Sequence, residues 1–218
     1  MLFTPKHAGG IVELGRQLIQ QSSPDVAAVV ENDLALLLAT ALDQAAINGP
    51  GGIAPTGVLN TPGIGSVALG ANGGAPSYAA AIQLIGQVDA ANALAGSLGF
   101  VTNARAVRTM RQTPRTANDT ASNFVMNDPS ILVGYPLMSS QDVPSTLTKD
   151  TGTGLSALIF ADWSQLMIGM WSELDILVNP YADSAYPKGA VQVRAMLTTD
   201  IHARQPAAFA AITDMIAA

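Results

Sequence analysis

Cysteine is absent from the 218-residue chain. That excludes disulfides, thiolate metal sites and a cysteine nucleophile, and it fits a reducing compartment. Charge is scarce as well: 12% of the residues are Asp, Glu, Lys or Arg, about half of the usual share of roughly 25%. Aromatic residues make up only 5%, yet 49% of the chain is hydrophobic, which is not the composition of a disordered protein. Of ten basic residues only Lys6 and Arg16 precede Arg105, and no charged residue at all stands between Asp43 and Asp89. With a net charge of −6 and a pI near 4.6, a general nucleic-acid-binding surface is disfavoured. Long apolar runs are missing too. The stretch from Leu155 to Trp171 is broken by Asp162, Ser164 and Gln165, short of the ~20 residues that span a membrane. The opening MLFTPKHAGG holds no signal-peptide core, so the chain reads as soluble with no membrane partner. So little charge protects a surface poorly against association. Composition thus leaves two readings, self-association or a core unusually rich in small residues.

What is present is mixed helix and strand. Ser23-Pro24-Asp25 supplies an N-cap, a proline at the first helical position and an acid in the first turn. Val26, Val30, Leu34, Leu37, Leu38, Ala41 and Leu42 then recur at three-to-four spacing, and Gly49-Pro50 ends the run. A helix over 24–48 would be about 37 Å long. A shorter helix over 13–21 is expected to lead into it. The glycine- and proline-rich segment 51–75 suggests short strands at 57–59 and 66–69. A helix follows from Ser77 to about Ala95, then a strand at 99–102 and a short helix capped by Asn103 and ended by Pro114. Residues 115–130 read as loop, and 131–143 as a strand with a turn at Gly134–Pro136. A hairpin over 146–154 precedes strands at 155–160 and 165–171. Period-two alternation over 173–178 and 191–198 predicts a half-buried sheet. The fold class is α+β, helices early and strands late.

Few constellations could carry chemistry. Gly63-Ile64-Gly65-Ser66-Val67-Ala68 matches the dinucleotide fingerprint, but Gly70, Gly73, Gly74 and Pro76 follow where a helix should open, so an interface or surface loop is the reading. No G-K-[ST] occurs, so there is no P-loop. His7 and His202 have no ligand at metal spacing and read as structural or surface residues. Asp162, Glu173 and Asp175 are the best candidates for paired carboxylates, although acids on an edge strand also discourage wrong pairing. Arg105, Arg108 and Arg111 fall on one side of a short helix, with Arg115 just beyond. Without interleaved aromatics, pairing with an acidic patch on a neighbouring subunit is preferred over a solvated face or nucleic acid.

The order of these pieces resembles the major capsid protein family of tailed bacteriophages, the Hong Kong 97-type fold also used by encapsulins. One stretch is Ile11-Val12-Glu13-Leu14-Gly15-Arg16-Gln17-Leu18, the long helix, Ala45-Ala46-Ile47-Asn48-Gly49 and then Pro55-Thr56-Gly57-Val58-Leu59. It is similar to that family's spine helix and the glycine–proline stretch after it. Ile131-Leu132-Val133-Gly134-Tyr135-Pro136-Leu137 is similar to its G-Y-P-V strand. Phe160-Ala161-Asp162-Trp163-Ser164 is similar to its F-G-D-F segment, and Pro206-Ala207-Ala208-Phe209 to its P-x-A-F ending.

The resemblance implies a peripheral domain over 1–56, carrying the spine helix at 24–48, with return strands at 171–204. It implies an axial domain over 57–170 with a C-terminal strand in 205–218. Family members usually carry an N-terminal arm and an extended loop ahead of the segment where this sequence starts, so both are expected to be lacking. The function implied is a structural subunit of a phage or prophage shell, self-assembling to enclose a genome. Its partners would be copies of itself, in pentamers, hexamers or weaker association, with a possible scaffold or maturation protease. No sequence-specific nucleic acid, catalytic residue, cofactor or metal is assigned. The shell would be the virion capsid, assembled in the host cytoplasm. Two rivals are an encapsulin-like bacterial compartment and an enzyme built on Asp162, Glu173 and Asp175.

Overall fold

The protein is seen in a computed structural model that describes residues 2–21, 26–116, 123–183 and 185–217. The sequence's proposed helix cap, Ser23-Pro24-Asp25, lies outside the described residues, as does part of the polar loop within 115–130.

Among the described residues two sheets each carry their own core. The first is antiparallel with strand order β1-β9-β8, where β1 is Lys6–Leu14, β8 Leu166–Asn179 and β9 Val191–Ala203. The long helix α2, Val26–Asn48, lies on it and is about 34 Å long at 1.5 Å per residue. Val30, Leu34 and Leu38, one face at i, i+4 and i+8, meet Val12, Leu14, Val193, Ala195 and Ile176 of the sheet.

One expectation is overturned here. Residues 13–21 do not form a single helix: β1 runs through Leu14, and only Arg16–Gln21 is helical (α1). Ala8, Val12 and Leu14 point into the core while His7, Gly9, Ile11 and Glu13 are exposed. This is a period-two pattern that the Gly9-Gly10 pair hides, because glycine has no side chain to mark a face.

The second sheet has order β2-β10-β7-β3-β5-β4, with β6 pairing β7 off that path. Its strands are β2 Gly65–Ser66, β3 Leu98–Thr102, β4 Ile131–Leu132, β5 Tyr135–Ser139, β6 Leu147–Lys149, β7 Gly152–Asp162 and β10 Phe209–Ile216. Helices α3 (Tyr78–Ala90) and α4 (Ala104–Gln112) pack on it. Their N-caps are Ser77 and Asn103, whose side chains accept from Ala80 N at 3.1 Å and Ala106 N at 2.9 Å. Aromatic rings meet in this core: Phe100 and Phe160 lie 4.6 Å apart at a tilt, with Tyr135 edge-on to Phe160 at 5.1 Å.

The strand expected at 57–59 is instead a 3-10 turn, Val58–Asn60. The cause is crowding at the end of α2. A Cβ on Gly49 would collide with the Pro55 carbonyl, and one on Gly57 with the Gly49 amide. The two backbones close on each other, with Gly57 N donating to Gly49 O at 2.9 Å, and only glycine permits that approach.

Candidate functional site

The carboxylates proposed as a catalytic set are not brought together. Asp162 is 2% exposed and accepts four hydrogen bonds, from Ser97 N, Ser164 N, Ser164 Oγ and Gln165 Nε2. It shapes the 3-10 turn Trp163–Gln165 between β7 and β8. Burial pushes its pKa up, but the hydrogen bonds from Ser164, Gln165 and Ser97 outweigh burial and hold it below the ordinary value. Glu173 and Asp175 are exposed and lie well along β8 from its first residue, Leu166, more than ~20 Å by strand rise. Asp175 instead faces Arg194 across the sheet at 3.9 Å. No shared proton or metal can be held at that spacing. Among the described residues no group of three or more His, Asp or Glu side chains could hold a metal ion.

The other constellations dissolve into structure in the same way. Gly65 and Ser66, from the fingerprint-like run, pair in parallel with Ala210 and Ala211 of β10. A Cβ on Gly65 would come within 3.1 Å of both Ala210 Cβ and Gln87 Cβ, so this glycine serves packing. His7 Nδ1 is 2.9 Å from Thr198 Oγ1, whereas His202 Nε2 is 3.1 Å from Asp200 Oδ2 and takes Phe3 edge-on. The expected basic patch is partly used within the chain. Arg105 donates to Ser145 O at 3.3 Å and Ala217 O at 2.5 Å, and Arg115 lies 3.6 Å over the Tyr78 ring.

Two buried aspartates escaped sequence reasoning. Asp200 accepts from Thr4 N at 2.9 Å and pairs with Lys6 Nζ at 3.3 Å, tying the N-terminal segment to β9. Burial raises its pKa, while hydrogen bonds from Thr4 and Ile201 and the Lys6 charge bring it below the ordinary value. Asp214 accepts from Leu69 N at 3.0 Å and from Lys149 Nζ at 2.7 Å. Their only sequence signal is an acid inside an apolar strand.

What stands out is apolar surface. On α2 the side turned from the sheet carries Leu36 and Leu37, 66% and 59% exposed, contrary to the expectation that Leu37 is core. Large apolar side chains on the outer side of a helix mark a surface that expects to be covered. The edges of the larger sheet, β2 and β4, are two residues long, which blunts them against pairing. The smaller sheet ends instead on β8, fourteen residues long and paired on one side by β9. It exposes Ile168, Met170, Trp171, Leu177 and Val178. Beside it, Ile11, Arg194, Leu177 and Tyr181 line a shallow cavity of about 510 Å³ on the face opposite α2. A long apolar edge is a surface for protein partners. No helix among the described residues is long and apolar enough to cross a membrane.

Comparison with known proteins points the same way. The sequence profile of the Phage capsid family matches residues 2–214. The major capsid protein of Halomonas phage phiHAP-1 is 26% identical over 207 residues, covering 94% of this chain and 31% of that protein. The chain thus spans about a third of the length of that relative. Among solved structures, the capsid of a native GTA particle superposes with a TM-score of 0.74 at 21% identity, covering 97% of this chain and 73% of its own. The SrpI encapsulin of Synechococcus elongatus PCC 7942 superposes with a TM-score of 0.68 at 15% identity, covering 98% and 75%.

Proposed function

The chain belongs to the phage capsid family, and from that premise we propose that it is a structural subunit of a phage or prophage shell. It acts by lateral self-association of copies to enclose a genome, with no catalytic chemistry of its own. The observation that carries this reading is α2: its inward face is buried at Leu34 and Leu38, and its outward face still presents Leu36 and Leu37 to solvent. A monomer gains nothing from those leucines, but a tile covered by its neighbours does. The apolar edge at β8 supports the same reading. The work of assembly is then apolar burial and shape fit over several interfaces, as in obligate assemblies. In this reading residues 1–56 and 171–204 form the peripheral domain around α2 and the smaller sheet. Residues 57–170 and 205–218 form the axial domain. The shell is the virion capsid, built in the host cytoplasm, with a scaffold or maturation protease as possible helpers.

A second reading, an encapsulin-type compartment, draws on the likeness to the SrpI encapsulin. The sequence relative that covers 94% of this chain is a phage major capsid protein, which favours the genome-enclosing shell. Electron microscopy and light scattering on concentrated protein test the proposal. Rings of five or six, sheets or closed particles are expected. A strict monomer at every concentration, with Leu36 and Leu37 remaining in water, overturns it. Nuclease-protected nucleic acid inside particles from cells separates the genome shell from the compartment.

A further inference from the structure

Directly after α2 the chain makes a short finger. Pro50 and Thr56 form a bridge at its base, Gly51 N donates to Pro55 O at 3.2 Å, and Lys6 Nζ donates to Ala54 O at 3.0 Å. Gly51 and Gly52 sit at φ +80° and +74°, a turn that side chains rarely adopt. Held this way, the finger presents Ile53 at its tip. Ile53 is 95% exposed, beyond any other large hydrophobic side chain among the described residues. A β-branched apolar residue held in water by a braced loop has no role in the monomer's own core.

Beside the finger is a cleft of about 430 Å³, with Ile53 on its rim. Its walls are the C-terminal half of α2, at Ala41, Leu42 and Ala45, and the sheet at Ala8 and Leu197. The alanines leave room where larger side chains would fill it. Its only Lys, Arg, Asp or Glu side chain is Lys6, whose ammonium lies 3.3 Å from buried Asp200. The surface is therefore close to neutral, and two identical faces can meet without like-charge repulsion.

A projecting knob and an unfilled hole on one surface satisfy a simple symmetry. A two-fold axis passing between them carries each knob onto the other copy's hole, which is the geometry of an isologous contact. We propose that Ile53 of one copy enters the Ala41–Ala45 cleft of a second copy, and reciprocally, as a two-fold contact between subunits. This rests on the shell-subunit reading and names one of its interfaces. One finger per copy covers far less than the ~800 Å² per partner of a stable dimer. The contact is thus weak alone and acts together with others in an assembly.

The cysteine-free chain allows a clean test. I53C and A41C variants, distinguished by tags of different mass, are mixed and oxidised at a concentration where the wild type associates. The expected product is the mixed I53C–A41C disulfide, at least tenfold over either homodisulfide. I53D, whose side chain leaves almost no contact, is expected to keep the wild-type melting temperature and weaken self-association about tenfold by sedimentation. Homodisulfides in equal or greater yield overturn the contact, as does an intrachain disulfide in a dilute I53C/A41C double variant. If the wild type associates but the crosslinks are unselective, this contact falls and the shell reading stands. If the wild type never associates, both fall.

Discussion

Lys149 Nζ lies 2.7 Å from Asp214 Oδ2, and the same ammonium donates to Gly70 O at 2.8 Å. One buried carboxylate thereby joins the β6–β7 hairpin, the C-terminal strand β10 and the glycine-rich segment, whose Leu69 N it also accepts. Three pieces distant in sequence converge on a group that is 1% exposed.

Removing the donor therefore costs more than removing the acceptor. Lys149→Met leaves the Asp214 carboxylate, 1% exposed, without its counter-charge, and is expected to lower stability by roughly 3–5 kcal/mol. Asp214→Ala takes the acceptor from the Leu69 amide, but the Lys149 ammonium keeps Gly70 O and reaches water, so about 1–3 kcal/mol is expected. Urea unfolding of the two variants checks the order. A larger loss for Asp214→Ala would mean that the Leu69 amide outweighs the uncompensated charge.

Acid should loosen the protein through two other aspartates. Asp162 and Asp200 both have folded pKa values below their ordinary ones, because hydrogen bonds to the ionised form outweigh burial. A depressed folded pKa gives stability that is fully present above the unfolded value of ~3.9 and is lost as pH falls through the folded value. Stability from these groups should thus be constant from pH 7 to about 5 and decline below about 4. Asp200→Asn and Asp162→Asn should each be less stable at pH 7 and show a shallower decline below pH 4. Denaturant midpoints across that range decide it, and an unchanged acid slope in both variants would remove these groups from the account.

The β4–β5 hairpin stores local strain. Val133 has φ +50° and Gly134 φ +83°, so both central residues of the turn are left-handed, as a type I′ turn requires. Glycine suits this, but a β-branched residue does not. Val133→Asn should raise stability by about 0.5–1 kcal/mol, less than the full strain because Val133 also packs partly on the core. A lower melting temperature would show that those contacts outweigh the backbone.

These same residues show what could be read in advance. The cap at Asn103 was legible because capping is local: an acceptor, then an amide three residues on. The body of α2 was legible from its spacing, and β9 from alternation. β1 was not, since Gly9 and Gly10 blank out two positions of a nine-residue pattern. Asp214 and Asp200 were illegible for another reason. Their partners Lys149 and Thr4 lie 65 and 196 residues away in sequence, and no spacing rule reaches that far. Asp162 was legible as a residue worth noticing, and its bonds from Ser164 are local, but its tie to the Ser97 amide, 65 residues distant, was not legible. Leu37 was misplaced because a helix apolar on several sides gives periodicity no single face to select.

That ambiguity in α2 yields the sharpest test of what the surface is for. Leu38 is 3% exposed and packs on the smaller sheet, while its neighbours Leu36 and Leu37 are more than half exposed. Leu38→Ala opens a cavity and is expected to cost about 2–5 kcal/mol of stability. Leu36→Lys with Leu37→Lys opens none, since lysine is as good a helix former as leucine, and the melting temperature should shift by no more than a ~0.5 kcal/mol change. If neighbouring copies cover this face, the double variant must bury two charges in the interface. Association measured by light scattering should then fall at least tenfold, while circular dichroism stays unchanged. A double variant that assembles like the wild type would show that the outer leucines of α2 face solvent in the assembly, and that lateral contacts lie elsewhere, with β8 the next surface to probe.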